Sequence, residues 1–208
     1  MVNNILIGIS YALSAGLQPG PLQAFFLAKV AERGWRRTLP AAFAPLISDG
    51  PIAVVSILLL NILPETFRNL LQLAGGVLLL YFAWNAYRHW RDDQVIEFED
   101  SESTPKTIFQ AALINLLNPN PYLGWSLVMG PAVLAAWDKS PGTAATLLLA
   151  FYITMIGTSM VMIFLMGRAL LLDPGARKVM NMISALLLVG LGLYFLYQAG
   201  GNLLGWLN

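Results

Sequence analysis

The sequence predicts an all-α, polytopic membrane protein: six transmembrane helices arranged as two inverted-topology three-helix repeats. Three observations carry this expectation. The chain of 208 residues is 57% hydrophobic and only 11% charged, whereas a soluble domain carries about 25% charged residues. So few charges could not cover a water-facing surface. Six apolar stretches reach the roughly 20 residues needed to cross the hydrocarbon core. A double-proline motif also occurs twice, as LQPGPL at 17–22 and LNPNPY at 117–122, each time in the middle of an apolar run.

The elements follow in order along the chain. Span 1 covers 5–28. The MVNN before it lacks the basic region of a secretory signal and no cleavage site follows, so it is read as a retained helix. Span 2, 38–61, carries Asp49 near its middle, with Pro45 before it and Gly50-Pro51 after it. A bend is expected there. Span 3, 69–87, contains Gly75 and Gly76, which suit close helix contact. The connection at 88–106 is too polar to be buried. Spans 4, 5 and 6 cover 107–134, 143–167 and 179–199, and the last can run on to 207. The expected organisation is a first repeat at 1–91, an acidic cytoplasmic linker at 92–106 and a second repeat at 107–208.

Basic residues set the orientation. The first connection holds Lys29, Arg33, Arg36 and Arg37, the third Arg88, Arg91 and Lys106, and the fifth Arg168, Arg177 and Lys178. The other side receives only Arg68 and Lys139. The rich connections alternate, so they share one face, which is expected to be cytoplasmic, with both termini outside. Trp35, Trp90, Trp137 and Trp206 fall at predicted borders and are read as interfacial anchors.

The halves resemble each other. GLQPGPLQAFF in span 1 answers NLLNPNPYLGW in span 4, and LLLYFAWNAYR in span 3 resembles VGLGLYFLYQA in span 6. Each half holds three helices, an odd number, so the second enters the membrane from the opposite side. Inverted repeats of this kind occur in several secondary-transporter folds.

A proline in a helix interior removes a hydrogen bond and clashes with the carbonyl four residues back. Pro19 and Pro21 free the carbonyls of Ala15 and Leu17, and Pro119 and Pro121 free those of Asn115 and Leu117. Gln18, Gly20, Asn118 and Asn120 precede prolines and are pushed out of helical geometry. Helices 1 and 4 are therefore expected to break at PGP and NPNP, with new helices starting near mid-bilayer. The first amides of those helices, Leu22 to Phe25 and Tyr122 to Trp125, lack intrahelical partners. Two converging helix N-termini suit an anion. Packing kinks filled by neighbouring side chains are the plain alternative.

Asp49 is the one acidic or basic residue well inside a span, which marks it as a candidate for a proton or for a bound cationic group. Capping of a broken helix is its structural alternative. Gln18, Asn115, Asn118 and Asn120 either bind substrate or satisfy the unwound backbone. Tyr122 and Trp125 either wall a cavity or pack a core. Thr154, Thr158 and Ser159, in span 5, more often bond their own helix. A net charge of +1 gives no argument for nucleic acid, and with no cysteine there is neither a disulfide nor a thiolate metal site. The single histidine, His89, is expected at the cytoplasmic surface. No metal or other cofactor is expected, and no hydrolytic constellation can be assembled at depth, so the chain is not read as an enzyme.

Together, Pro19-Gly20-Pro21 in helix 1, the basic connection, Ser48-Asp49 in helix 2 and Asn115 through Pro119 in helix 4 resemble the LysE/RhtB family of amino-acid exporters. The likeness covers almost the whole chain. It implies export of amino acids or close derivatives from the bacterial cytoplasm across the inner membrane, driven by proton motive force, with roles for the proline motifs and the helix-2 Asp. Expected partners are a small-molecule substrate, protons and the lipid bilayer, and the reading is compatible with a homo-oligomer. The candidate substrate-binding set is Gln18, Pro19, Gly20, Pro21, Asn115, Asn118, Pro119, Asn120, Pro121 and Tyr122, with Asp49 for the proton or the substrate ammonium. Two departures touch that set. The family often has a Lys after the second Asn-Pro, where Asn120 stands here, and its glycine-rich approach to the Asp reads APLIS here. An exporter of an inorganic cation or another small solute on the same scaffold is the alternative.

Overall fold

The computed structural model describes residues 2–58, 65–91, 104–172 and 176–204. Residues 92–103 of the expected acidic linker and Trp206 lie outside the described residues, as do the side chains of His89 and Trp90. Residues 104–106, expected to close the linker, instead open helix α6 (Thr104–Leu117). Among the described residues all regular structure is helical.

Among the described residues four helical stretches are long and apolar enough to cross a membrane: Trp35–Ser56, Asn69–Arg88, Pro141–Ala169 and Met182–Gly200. They fall on expected spans 2, 3, 5 and 6. The first is composite: a short α3 (Trp35–Thr38), a 3-10 turn over Leu39–Phe43, and α4 (Ala44–Leu58) with Pro51 inside it. The other three lie in α5 (Glu65–Arg91), α9 (Pro141–Leu172) and α10 (Ala176–Leu204). The chain is a multi-pass membrane protein.

Expected spans 1 and 4 are interrupted. The first is α1 (Val2–Leu17, 16 residues) followed by α2 (Pro21–Arg33, 13 residues). At 1.5 Å per residue each piece is about 20–24 Å long, short of the roughly 30 Å core. The second consists of α6, a six-residue α7 (Pro119–Gly124), a π-helical segment over Trp125–Met129 and α8 (Gly130–Trp137). The π segment was not expected from the sequence. It ends at Met129, two residues before Pro131, where the missing proline amide leaves an irregular hydrogen-bond ladder.

The two breaks differ, and the difference corrects the expected position of the second helix start. At the first, Gln18 to Gly20 are non-helical and α2 starts at Pro21 with extended Gly20 as N-cap. At the second, only Asn118 leaves the helix, and α7 starts at Pro119 rather than beyond Pro121. Asn118 explains this. Its side-chain oxygen accepts from the Asn120 amide at 3.1 Å, the N-cap bond that asparagine makes well. Glutamine, one methylene longer, is no such cap, so the first helix waits for Gly20. Both Pro119 and Pro121 then sit in a first turn, where no amide is required.

Packing positions these breaks. α5 runs along α10, and α1 along α9. At the α5–α10 crossing a β-carbon on Gly76 would lie 2.9 Å from the Gly192 carbonyl, so two glycines let the backbones meet. One on Gly75 would lie 2.7 Å from the Leu117 carbonyl, at the end of α6 just before the second break. α2 is enclosed: Phe25, Phe26 and Val30 are fully buried in a core shared with α5, α6, α9 and α10. A second core joins α1, α4, α9 and the π segment through Ile52, Met129, Leu147 and Phe151.

The C-terminal end of α2 departs from the expected basic connection. Lys29 and Glu32 are buried on the helix and form an ion pair at 2.7 Å, and the Arg33 guanidinium donates to the Thr107 hydroxyl of α6. Trp35 is not a free anchor either. It packs edge-on to Phe164 at 5.2 Å and against Gly167 of α9.

Candidate functional site

The two breaks open onto one cavity of about 110 Å³. The first break contributes Gln18, Pro19 and Gly20, and the second Asn118, Asn120 and Pro121. Gln18, Pro19 and Asn120 are exposed at its rim. α4 contributes Pro45 and Asp49, α6 contributes Asn115, and the π segment contributes Trp125. Tyr11 on α1 and Phe151, Met155 and Ser159 on α9 complete the wall.

Asp49 is 4% exposed. Its Oδ1 accepts from Asn115 Nδ2 at 3.1 Å and lies 3.4 Å from the Ser48 hydroxyl. Asn115 Nδ2 also donates to Ser48 Oγ at 2.8 Å, while Ser48 donates to the Ala44 carbonyl at 3.2 Å. Among the described residues no Lys, Arg or His pairs with Asp49. The carboxyl group is thus held by neutral donors from α4 and α6, with no countercharge among the described residues.

The helix ends are unequal as anion sites. At α2 the amides of Leu22 and Gln23 precede the first helical donor, since Ala24 N bonds the Gly20 carbonyl at 3.0 Å. Both residues line the cavity, and Gly20 supplies no side-chain cap. The Gln23 side chain reaches back across the break to the Gly16 carbonyl at 3.0 Å, satisfying an acceptor that α1 leaves open. At α7 the arrangement differs from the two converging termini expected. Pro119 and Pro121 have no amide, and Asn120 gives its own to the Asn118 side chain. Among the first three residues of each helix, free amides remain at α2 alone, on Leu22 and Gln23.

Eight of the eleven candidate residues line the cavity, and Pro21, Pro119 and Tyr122 do not. Pro21 faces Gly75, Leu79 and Phe195. Pro119 is buried at the start of α7. Tyr122 is 5% exposed, donates to the Leu116 carbonyl at 2.9 Å, and its own carbonyl accepts from Ser56 at 3.2 Å. These three hold the break in shape. Tyr11, Gln23, Phe151 and Met155 are wall residues that the sequence did not single out, because an aromatic, Met or Gln in an apolar helix carries no distinguishing pattern. A β-carbon on Gly124 would overlap the Tyr11 hydroxyl, so this glycine admits the tyrosine to the cavity wall.

A multi-pass helical protein with broken helices around a polar cavity and one uncompensated carboxylate is built as a membrane transporter. The LysE type translocator family model matches residues 13–199, and the chain belongs to that family. No curated protein and no solved structure matches it. The family consists of transporters of small solutes rather than of enzymes.

Proposed function

We propose that this protein is a secondary transporter that exports amino acids or similar small zwitterionic metabolites from the cytoplasm by proton antiport. The observation that carries this reading is Asp49: a buried carboxyl group in the cavity at the two breaks, with neutral donors and no cation among the described residues. An uncompensated charge at membrane depth costs at least about 2.5–3.5 kcal/mol. A proton or a substrate ammonium group removes that cost, and each excludes the other. Substrate entering from the cytoplasm releases the proton there, and a proton entering from outside releases the substrate. The substrate carboxylate faces the Leu22 and Gln23 amides at the α2 N-terminus, with the side-chain amides of Gln18, Asn118 and Asn120 nearby.

The motion is read as rocking of two inverted repeats, 1–91 and 107–208, that together span the membrane six times. Helix pairing supports this. Exchanging the halves turns the α1–α9 contact into the contact of α6 with α4, which is present, and maps the α5–α10 contact onto itself. The excess of basic residues in the connections after spans 1, 3 and 5 supports a cytoplasmic position for those loops, with both termini outside.

The test is uphill export in proteoliposomes under an imposed pH gradient. Asp49→Asn is expected to fold as a monodisperse protein and to lose proton-driven accumulation. Undiminished proton-driven export by that variant overturns the proposal.

A further inference from the structure

We infer that the substrate is an amino acid with an uncharged, apolar side chain, received by a compartment of Tyr11, Phe151 and Met155. This rests on the amino-acid reading above and narrows it.

The charge inventory of the cavity comes first. Among the described residues Asp49 is the single acidic residue in its wall, and no Lys, Arg or His lines it. The substrate ammonium group takes up that one negative charge. A second cationic group, as on a lysine or arginine substrate, would enter a buried space with no carboxylate left to meet it. An acidic side chain would bring a second negative charge beside Asp49 with no cation present. Asn120, at the rim, is neutral.

The distribution of polarity comes next. The amide-bearing residues Gln18, Asn118 and Asn120 gather at the breaks, where the ammonium and carboxylate of the substrate are held. The wall made by α1, α9 and the π segment is aromatic. Tyr11 stacks on Phe151 at 5.9 Å, and Trp125 meets Phe151 edge-on at 6.0 Å. Phe151, 1% exposed, is fixed between them. Met155 stands one turn further along α9, close to Gly16 of α1. Its unbranched thioether adapts to irregular apolar shapes, so it suits aliphatic chains of differing length. Ala15 and Gly16 of α1 line the cavity beside it, and a β-carbon on Gly16 would lie 3.5 Å from its sulfur.

The experiment is counterflow with purified full-length protein in proteoliposomes, using labelled alanine, leucine, methionine and phenylalanine against lysine, arginine and glutamate. The apolar set is expected to be preferred by about tenfold or more, the scale of pocket discrimination. Lysine, arginine or glutamate carried as well as leucine overturns this inference while leaving amino-acid export standing. No amino acid of any class carried overturns the export reading beneath it. Two variants locate the compartment. Met155→Trp is expected to slow leucine and phenylalanine while sparing alanine. Ser159→Asp, which adds a carboxylate to the wall, is expected to raise lysine relative to leucine by about tenfold. An unchanged substrate ranking in Met155→Trp removes the compartment assignment, and the wild-type ranking decides the substrate class even if Ser159→Asp does not fold.

Discussion

Asn115 donates to Asp49 Oδ1 at 3.1 Å across 66 residues of chain. The same Nδ2 reaches Ser48 Oγ at 2.8 Å. One amide group therefore ties the lone carboxylate of α4 to the end of α6, two residues before the break at Leu117–Asn118. Removing it unsettles a charged group and a helix break together. A hydrogen bond to a charged group contributes about 1.5–3 kcal/mol. Asn115→Leu is thus expected to weaken substrate affinity by about tenfold to a hundredfold, with the protein still monodisperse in detergent. Binding measured by isothermal calorimetry checks this, and wild-type affinity would show the tie to be incidental.

The two proline motifs are expected to respond differently to loss of the residue before the first proline. Asn118 caps α7 through the Asn120 amide, and losing such a cap costs about 0.5–2 kcal/mol. Gln18 makes no cap, since α2 starts only at Pro21 with Gly20 as its N-cap. Asn118→Ala is therefore expected to lower thermal stability, and Gln18→Ala to leave it within about 0.5 kcal/mol. Thermal shift of the two purified variants makes the comparison. Equal losses would mean that both motifs are capped alike.

The two breaks were legible in the sequence but the contrast between them was not, and the reason is physical. Proline carries its effect locally, so both breaks, the free amides of Leu22 and Gln23 and the prominence of Asp49 followed from residue types alone, whereas the Ala24 amide, expected to be free as well, bonds the Gly20 carbonyl because the helix is capped at Gly20. The register of the second helix start depended on a side-chain choice, Asn118 over Gln18, that the proline pattern masks. Which face of a broken helix meets the cavity depends on its neighbours. Pro21 turns to Gly75 and Phe195, while Pro121 lines the cavity, although the two match in the motif. Tyr11 and Phe151 reach the site through tertiary packing, and an apolar run does not say which of its aromatics line a cavity. Lys29, read from the sequence as part of a basic loop, is buried because Glu32 stands one turn along the same helix.

Glycines sort by what surrounds them. A β-carbon on Gly76 would lie 2.8 Å from Leu196 and 2.9 Å from the Gly192 carbonyl, and the backbone contact cannot give way cheaply. Gly157, on α9, has nothing within 4 Å of that position. Gly76→Val is expected to force α5 from α10 and to cost about 1–3 kcal/mol, as overpacking does. Gly157→Ala is expected to be neutral, or stabilising by up to about 1 kcal/mol through helix propensity. Melting curves in one detergent check the pair. A destabilised Gly157→Ala, or a tolerated Gly76→Val, would contradict the α5–α10 contact as described.

The ion pair at the end of α2 permits a sharper test, because its two members should not behave independently. Lys29 Nζ lies 2.7 Å from Glu32 Oε2, with both side chains under a tenth exposed. Lys29 also stands over the Phe25 ring at 5.8 Å. Removing one charge takes this ion pair from the other buried charge, which costs up to about 3–5 kcal/mol, whereas replacing both by apolar groups of similar volume is close to neutral. Glu32→Gln and Lys29→Met are therefore each expected to be strongly destabilising. The double variant Lys29→Met with Glu32→Leu should recover most of the loss. A thermodynamic double-mutant cycle from thermal or denaturant unfolding measures the coupling. If the single losses simply add, the pair is solvated in the membrane-embedded protein and α2 is not enclosed at that end. If the double variant recovers stability but export stops, the charges serve transport, and the interaction of Arg33 with Thr107 one residue beyond becomes the next contact to remove.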